Sequence, residues 1–263
     1  MTNALFDEGL GELRRQRALK RGPELFLHER AFEDILDRLS LIQRRFRSAL
    51  LVSTFDPGWS QKLGSYADTV EVIAPEDITG IEPGAYDLVI ALGWLDTAND
   101  LPRALLTMRF ALQDDSLFIG ALSGGDTLPA LRSAMRAADE RMGGATPHAH
   151  PRVEAAPFTA LLTSAGFTMP VVDVDRVMVS YKSLADLVRD LRSMGATNVL
   201  KSRSRQPLSR AAAEAAAAQF QSAAQGGRVT ETFEILHFAA WTPPGAGDGS
   251  SSINLCIASV VNP

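Results

Sequence analysis

The chain has 263 residues, 46% of them hydrophobic and 22% charged, an ordinary globular balance with enough apolar side chains to bury one substantial core. A formal net charge of −5 argues against a nucleic-acid binder that works by neutralising phosphates, and a single cysteine, Cys256, excludes an internal disulfide framework or a cysteine zinc cluster. The longest apolar runs are of strand length, short of the ~20 residues that span a bilayer, and the acidic start (Asp7, Glu8, Glu12) fits no secretory or transit peptide, so the expectation is a cytoplasmic protein without a transmembrane segment.

In chain order, Glu8 to Arg21 reads as a charged helix holding Arg14, Arg15, Arg17, Lys20 and Arg21, either a solvated surface or a patch for an anionic partner. A second helix is expected from His28 to Phe46, where Phe32, Ile35, Leu36, Leu39 and Ile42 recur at helical spacing. The period then changes. Ala49 to Ser53 is a short apolar run ending at Asp56-Pro57-Gly58, a buried first strand followed by a turn and a helix; Thr69–Ile73 and Tyr86–Ala91 are further strands. Beyond them the pattern predicts helix Leu101–Leu112, strand Ser116–Leu122, helices Thr127–Arg141 and Ala155–Ala165, an apolar stretch Val171–Tyr181, helices Lys182–Met194 and Pro207–Ala224, and a strand Thr230–Trp241 that is apolar on both faces and so internal to the sheet. Strands separated by helices imply a doubly wound parallel sheet to which the closing pair adds an antiparallel strand. Residues 1–47 are expected as a helical extension, 48–242 as the α/β domain, and 243–263, opening on a Pro/Gly/Ser-rich run, as a flexible linker and tail.

Chemistry in such a sheet belongs outside the carboxyl ends of its strands, near the first strand-to-helix turn. That turn reads Ser53-Thr54-Phe55-Asp56-Pro57-Gly58-Trp59. Its one glycine, the N–H removed by Pro57, and the bulk of Phe55 and Trp59 all argue against close approach of a nucleoside cofactor. Between Ala49 and Ile90 there is room for strand, helix, strand, loop and strand only, one helix and one strand fewer than usual. Ser53, Asp56 and Gly58 in the turn, with Glu76 and Asp77 after the second strand, are the candidate cofactor contacts; the two acids read equally as solvated loop residues.

A resemblance emerges further on. Asn99 to Leu105, Phe118-Ile119-Gly120-Ala121, Gly124-Gly125-Asp126-Thr127-Leu128, Pro147-His148, Ala165-Gly166-Phe167, Asp173-Val174-Asp175, Asp190 to Asn198, and Thr232 to Ile235 with Trp241 together resemble a group of S-adenosylmethionine (SAM) methyltransferase-like proteins. The group comprises the mitochondrial respiratory complex I assembly factor and its alphaproteobacterial relatives, with a more distant likeness to the biotin-synthesis malonyl-carrier O-methyltransferase. The resemblance implies a class I SAM-methyltransferase (Rossmann-like) doubly wound fold with a shortened N-terminal cofactor half. It also implies SAM as cofactor, a protein client such as the complex I subunit that carries an iron–sulfur cluster, arginine hydroxylation or methylation as the reaction, and a place in the cytoplasm or at the inner membrane's surface.

Within the matching half, Asp126 is read either as a carboxylate that pairs with a client guanidinium or, with Thr127, as the N-cap of the next helix. His148 is the candidate acid or base, presented with His150 between Pro147 and Pro151. Without further His or Cys nearby these two do not make a metal site. Asp173 and Asp175 share a strand face, as a paired-carboxylate site or a solvated face; Arg189 and Arg192 read as surface residues, and Gly195 as a left-handed helix end. Neither a Gly-x-Ser-x-Gly elbow nor a P-loop occurs. Two expectations from different classes follow: an enzyme using Asp126 and His148, or a non-catalytic assembly factor that has lost SAM binding and keeps the fold as a platform.

Overall fold

The computed structural model describes residues 4–245. Cys256 and the expected linker and tail from residue 246 on lie outside the described residues.

Two helices come first, α1 (Glu8–Arg21) and α2 (Phe26–Leu41). Asp7 starts α1 by accepting the Leu10 N–H at 3.0 Å, the usual way a carboxylate satisfies a free helix donor. The second helix stops at Leu41, short of the expected Phe46, because Phe46 is drawn into strand β1 (Phe46–Ser53), where its N–H donates to the Tyr66 carbonyl at 2.9 Å. A five-residue helix α3 (Trp59–Leu63) leads to β2 (Ala67–Ile73); after a 3-10 segment at Pro75–Gly80 comes β3 (Tyr86–Leu92). The interval that looked too short for the usual layout therefore holds the elements its length allows. Next come α4 (Leu101–Ala111), β4 (Leu112–Ser123), α5 (Pro129–Met142), α6 (Ala155–Ser164) and β5 (Thr168–Tyr181), then α7 (Leu184–Ser193), α8 (Arg210–Ser222) and β6 (Val229–Trp241).

The sheet runs β2-β1-β3-β4-β6-β5. Strands β1 to β4 pair in parallel, while β6 is antiparallel to both β4 and β5. The chain order reverses between β1 and β3, which makes their carboxyl ends the switch point of the fold. Strand β3 is buried along its whole length and β6 almost so, as continuous apolar runs require; β2 and β5 form the edges, β2 largely exposed beyond Ala67 and β5 alternating between half-buried and exposed residues.

Successive residues of a strand point to opposite faces, and the core divides accordingly. Leu50, Val52, Val89, Phe118 and Phe238 face α4 and α6, with Phe118 stacked on Phe167 at 5.0 Å between ring centres. Leu51, Leu88, Ile90 and Ile119 face α2 and α3 through Phe32, Ile35, Leu39 and Trp59. The second helix thus contributes to the same core as the sheet. A third cluster joins α5, α7 and α8 to the far ends of β5 and β6 around Phe220, Val229 and Phe233.

Two local readings are corrected. Neither Asp126 nor Thr127 caps α5: the helix starts from Leu128 in a left-handed conformation, with no side-chain cap of its own. Its first donors, the N–H groups of Ala130 and Leu131, instead reach the carboxylate of Glu231 on β6 at 3.1 and 2.8 Å. Nor are Asp173 and Asp175 a paired-carboxylate site; they keep to a solvent-accessible face, as the other reading had it. They turn toward α2, Asp173 pairing with Arg38 at 2.8 Å and Asp175 with Arg30 at 2.6 Å. His237 of β6 lies 2.9 Å from Asp34 in the same network, although its Nδ1 is not aligned for a hydrogen bond.

Candidate functional site

The carboxyl ends of β1, β3 and β4 open into a cavity of about 150 Å³. Thr54 and Phe55 follow β1, Gly93 follows β3, and Ala121 to Ser123 close β4; α1 and α2 cover the opening with Arg15 and His28. Further parts of the wall come from Asp96 after β3, from His150 and Arg152, from Met194 to Thr197 and Val199 after α7, and from Glu234 on β6. Segments distant in sequence meet here because all of them cross the same end of the sheet.

Polar groups ring an otherwise apolar hollow. Arg152 and Asp96 form an ion pair that is nearly buried, their side chains 9% and 11% exposed. The Glu234 carboxylate pairs with Arg176 at 3.2 Å and is approached by the Asp126 N–H at 3.5 Å. His150 accepts the Val199 N–H through Nε2 at 2.9 Å and meets Phe6 edge-on. Burial pushes its pKa down to about 4, helped by the positive charge of Arg152. Burial likewise pushes His28 down to about 4, and its Nδ1 has no partner.

Each of these imidazoles takes up a proton near pH 6.5 when unfolded but only near pH 4 when folded. Between those values the unfolded chain binds more protons, so stability present above pH 6.5 is lost as the pH falls through 4. Buried Glu231, whose pKa is raised by desolvation, works in the opposite sense. The difference between wild type and His150→Gln isolates one imidazole: in urea titrations the wild type should lose about 3 kcal/mol more than the variant between pH 7 and pH 4. Parallel profiles would contradict the buried neutral state.

The cavity wall contains none of Ser53, Asp56, Gly58, Glu76, Asp77, Asp126 and His148. The Ser53 hydroxyl donates to the Leu92 carbonyl at 3.3 Å between β1 and β3. Asp56 accepts the N–H groups of Gly58 and Ser60, both at 3.1 Å, and Gly58 is the left-handed residue from which α3 starts. Asp77 is exposed, whereas Glu76 sits 3.4 Å from Arg15, a cavity residue. Asp126 is exposed beside the cavity. His148 turns into a separate groove, where Nε2 lies 2.8 Å from both Asp139 and Thr146. His28, Asp96, Arg152 and Glu234 line the cavity without having been candidate site residues; two had a signal, Glu234 in the Thr232 to Ile235 block and Asp96 in Leu95-Asp96-Thr97, where the chain departs from the pattern of the proteins it resembles.

The motif residues have local structural reasons. Asn99 clamps the backbone of Phe6 through both its amide atoms and Asp100 caps α4, while Asn198 donates to the Pro147 carbonyl at 2.7 Å and so ties together two cavity loops. A β-carbon on Gly124 would lie 2.6 Å from the Glu234 carboxylate, so the close approach this glycine permits is used by the chain's own β6.

A nucleoside cofactor at this switch point would need open backbone after β1, a free acid after β2 and a slot of its own size. Here Phe55 is buried against His28 at 5.7 Å, Glu76 is engaged by Arg15 while Asp77 stays exposed after β2, and the hollow is half of the roughly 300 Å³ at which ligand pockets begin. In this arrangement the hollow is smaller than a complete SAM, and no chemical step is derived through it.

The sheet order, with its antiparallel β6 between β4 and β5 and its cavity at the β1/β3 switch point, is that of the class I SAM-dependent methyltransferase fold. A putative methyltransferase from Bacillus halodurans superposes with a TM-score of 0.50 at 8% identity, covering 80% of this chain and 98% of that one. In sequence, the chain is related to the mitochondrial arginine-hydroxylase NDUFAF5 and, more distantly, to malonyl-[acyl-carrier protein] O-methyltransferases. It is 36% identical to the Mus musculus arginine-hydroxylase over 176 residues, 66% of this chain and 51% of that protein, and 37% identical to the Homo sapiens one over the same shares. Against the O-methyltransferase of Laribacter hongkongensis the identity is 34% over 163 residues, 61% of this chain and 52% of the relative. The chain thus spans about half the length of the curated relatives it matches. No protein-family model matches it. Among the described residues no helix is long and apolar enough to cross a membrane.

Proposed function

We propose that this chain modifies, or helps to mature, a protein client that presents an arginine, the client being a subunit of respiratory complex I of the iron–sulfur kind, met in the cytoplasm or at the inner membrane's surface. The observation that carries the reading is the small hollow at the switch point, walled by the carboxylates of Asp96 and Glu234, in a chain related to arginine-hydroxylases. Both carboxylates already hold guanidinium groups of the chain's own, Arg152 and Arg176, the kind of pairing a client arginine would make. In this reading Asp96 receives the client guanidinium by exchange with Arg152, and His150, neutral at pH 7 with its acceptor Nε2 already taken by the Val199 N–H, adds no competing positive charge to the cavity. Complex I assembly in cells deprived of the chain is the test: it should fall and be restored by the wild type but not by Asp96→Asn. Normal assembly without the chain would overturn the reading.

The alternative is a non-catalytic assembly factor with no cofactor, a reading that the methyltransferase and arginine-hydroxylase relatives do not favour. Titration calorimetry with SAM and S-adenosylhomocysteine separates the two. Micromolar affinity, about −8 kcal/mol, would mean that α1 and α2 yield to the cofactor and that the chain is an enzyme. No heat at millimolar ligand, with binding gained in Phe55→Gly, would mean that the ring closes the site.

A further inference from the structure

We infer that the groove lined by Arg14, Arg203 and Arg205 is a docking site for an acidic, apolar-interrupted segment of a partner protein. It measures about 420 Å³ and lies between α1, α5 and the loop that precedes α8. Met135, Met142 and Leu208 contribute apolar lining, and its one carboxylate, Asp139, is already taken by His148 and by the N–H and hydroxyl of Thr146. Three arginines consequently face an opening without a free acid, in a chain whose net charge is −5. The pKa of Arg14 is lowered by burial and then by Arg203; Asp7 opposes this, and Arg17 and Arg192 add smaller contributions to the positive field. Arg14 donates only to the Asn198 carbonyl and Arg203 to Asp7 and Leu200, while Arg205 has no hydrogen-bond partner among the described residues. Most of their guanidinium donors are therefore free for carboxylates.

Position adds to charge. The groove and the cavity share a wall: α1 sends Arg14 to one and Arg15 to the other, the loop before α6 sends His148 to one and His150 to the other, and the loop after α7 divides Asn198 from Thr197 and Val199. A segment held in the groove would lie beside the cavity. This inference rests on the reading that the chain handles a protein client. A concave site with methionine and leucine in its lining suits an extended peptide better than a flat lipid surface, and the overall negative charge disfavours nucleic acid.

The test is fluorescence anisotropy of a labelled glutamate–leucine peptide against the full chain, with Arg205→Gln, Arg14→Gln/Arg205→Gln and, from the opposite end of the sheet, Arg47→Gln. Binding should be saturable, weaken with salt, fall about tenfold in the double variant and remain in Arg47→Gln. Arg205→Gln, exposed and unpaired, keeps the test valid if the Arg14 variant fails to fold. Equal affinity in wild type and Arg205→Gln, or Arg205-dependent binding of inorganic pyrophosphate or phosphatidylglycerol vesicles without peptide binding, would overturn the inference. The SAM titration and the assembly assay read the cavity separately, so a failed peptide titration leaves them standing.

Discussion

Replacing Gly120 with alanine is expected to cost more than about 3 kcal/mol and to leave little soluble protein. Gly120 sits at the centre of β4, paired with Ala91 of β3 on one side and Phe238 of β6 on the other. A β-carbon there would lie 2.1 Å from the Ala91 carbonyl oxygen and 2.7 Å from the Phe238 ring. The ring can turn, but the carbonyl belongs to a fully buried strand bonded on both edges, so relief would require the middle of the sheet to separate. The same change at Gly144, where a β-carbon would meet nothing within 4 Å, should alter stability by less than about 0.5 kcal/mol. Thermal unfolding followed by circular dichroism compares the two; similar melting temperatures would show that β3 and β4 are less tightly apposed than described.

The second large effect lies at Glu231. Its side chain is fully buried, and its carboxylate accepts three backbone N–H groups, those of Ala130 and Leu131 at the start of α5 and of Thr232 at 3.0 Å. Burial raises its pKa, an effect those hydrogen bonds and Arg132 oppose. Glu231→Ala removes the acceptor and strands the two α5 donors in the interior, at about 3 kcal/mol in chemical denaturation at pH 7. Glu231→Gln keeps one acceptor but buries an amide with donors of its own, so it should recover part of the loss. An alanine variant within about 0.5 kcal/mol of wild type would mean that α5 finds another cap.

Much of the fold was legible because its signals are local. Apolar runs bounded by Gly, Pro and Asp marked β1, β3, β4 and β6, the two-faced apolar pattern of Thr230–Trp241 placed that strand inside the sheet, and a count of residues between Ala49 and Ile90 revealed the shortened half. Helix ends read well where the cap is a neighbour in sequence, as with Gly195 after α7. They read badly at α5, where a strand a hundred residues on supplies the carboxylate, and at α2, where pairing with Tyr66 claims Phe46 for the sheet. Asp173 and Asp175 shared a face as expected, but which face became clear only from the arginines of α2.

By itself, the sequence determined the α/β class, the kinship with methyltransferase-like proteins and the bulky side chains of the first turn, since periodicity, motif and side-chain volume are written residue by residue. The tertiary structure alone decided which side chains share the cavity: Arg15, His28, Asp96, Arg152 and Glu234 come from five separate segments and meet only because the parallel strands end on one side. It alone also decided that the arginines of the first helix join Arg203 and Arg205 around a second opening, because that juxtaposition depends on how α1 lies across the loops, a through-space relation with no local signature.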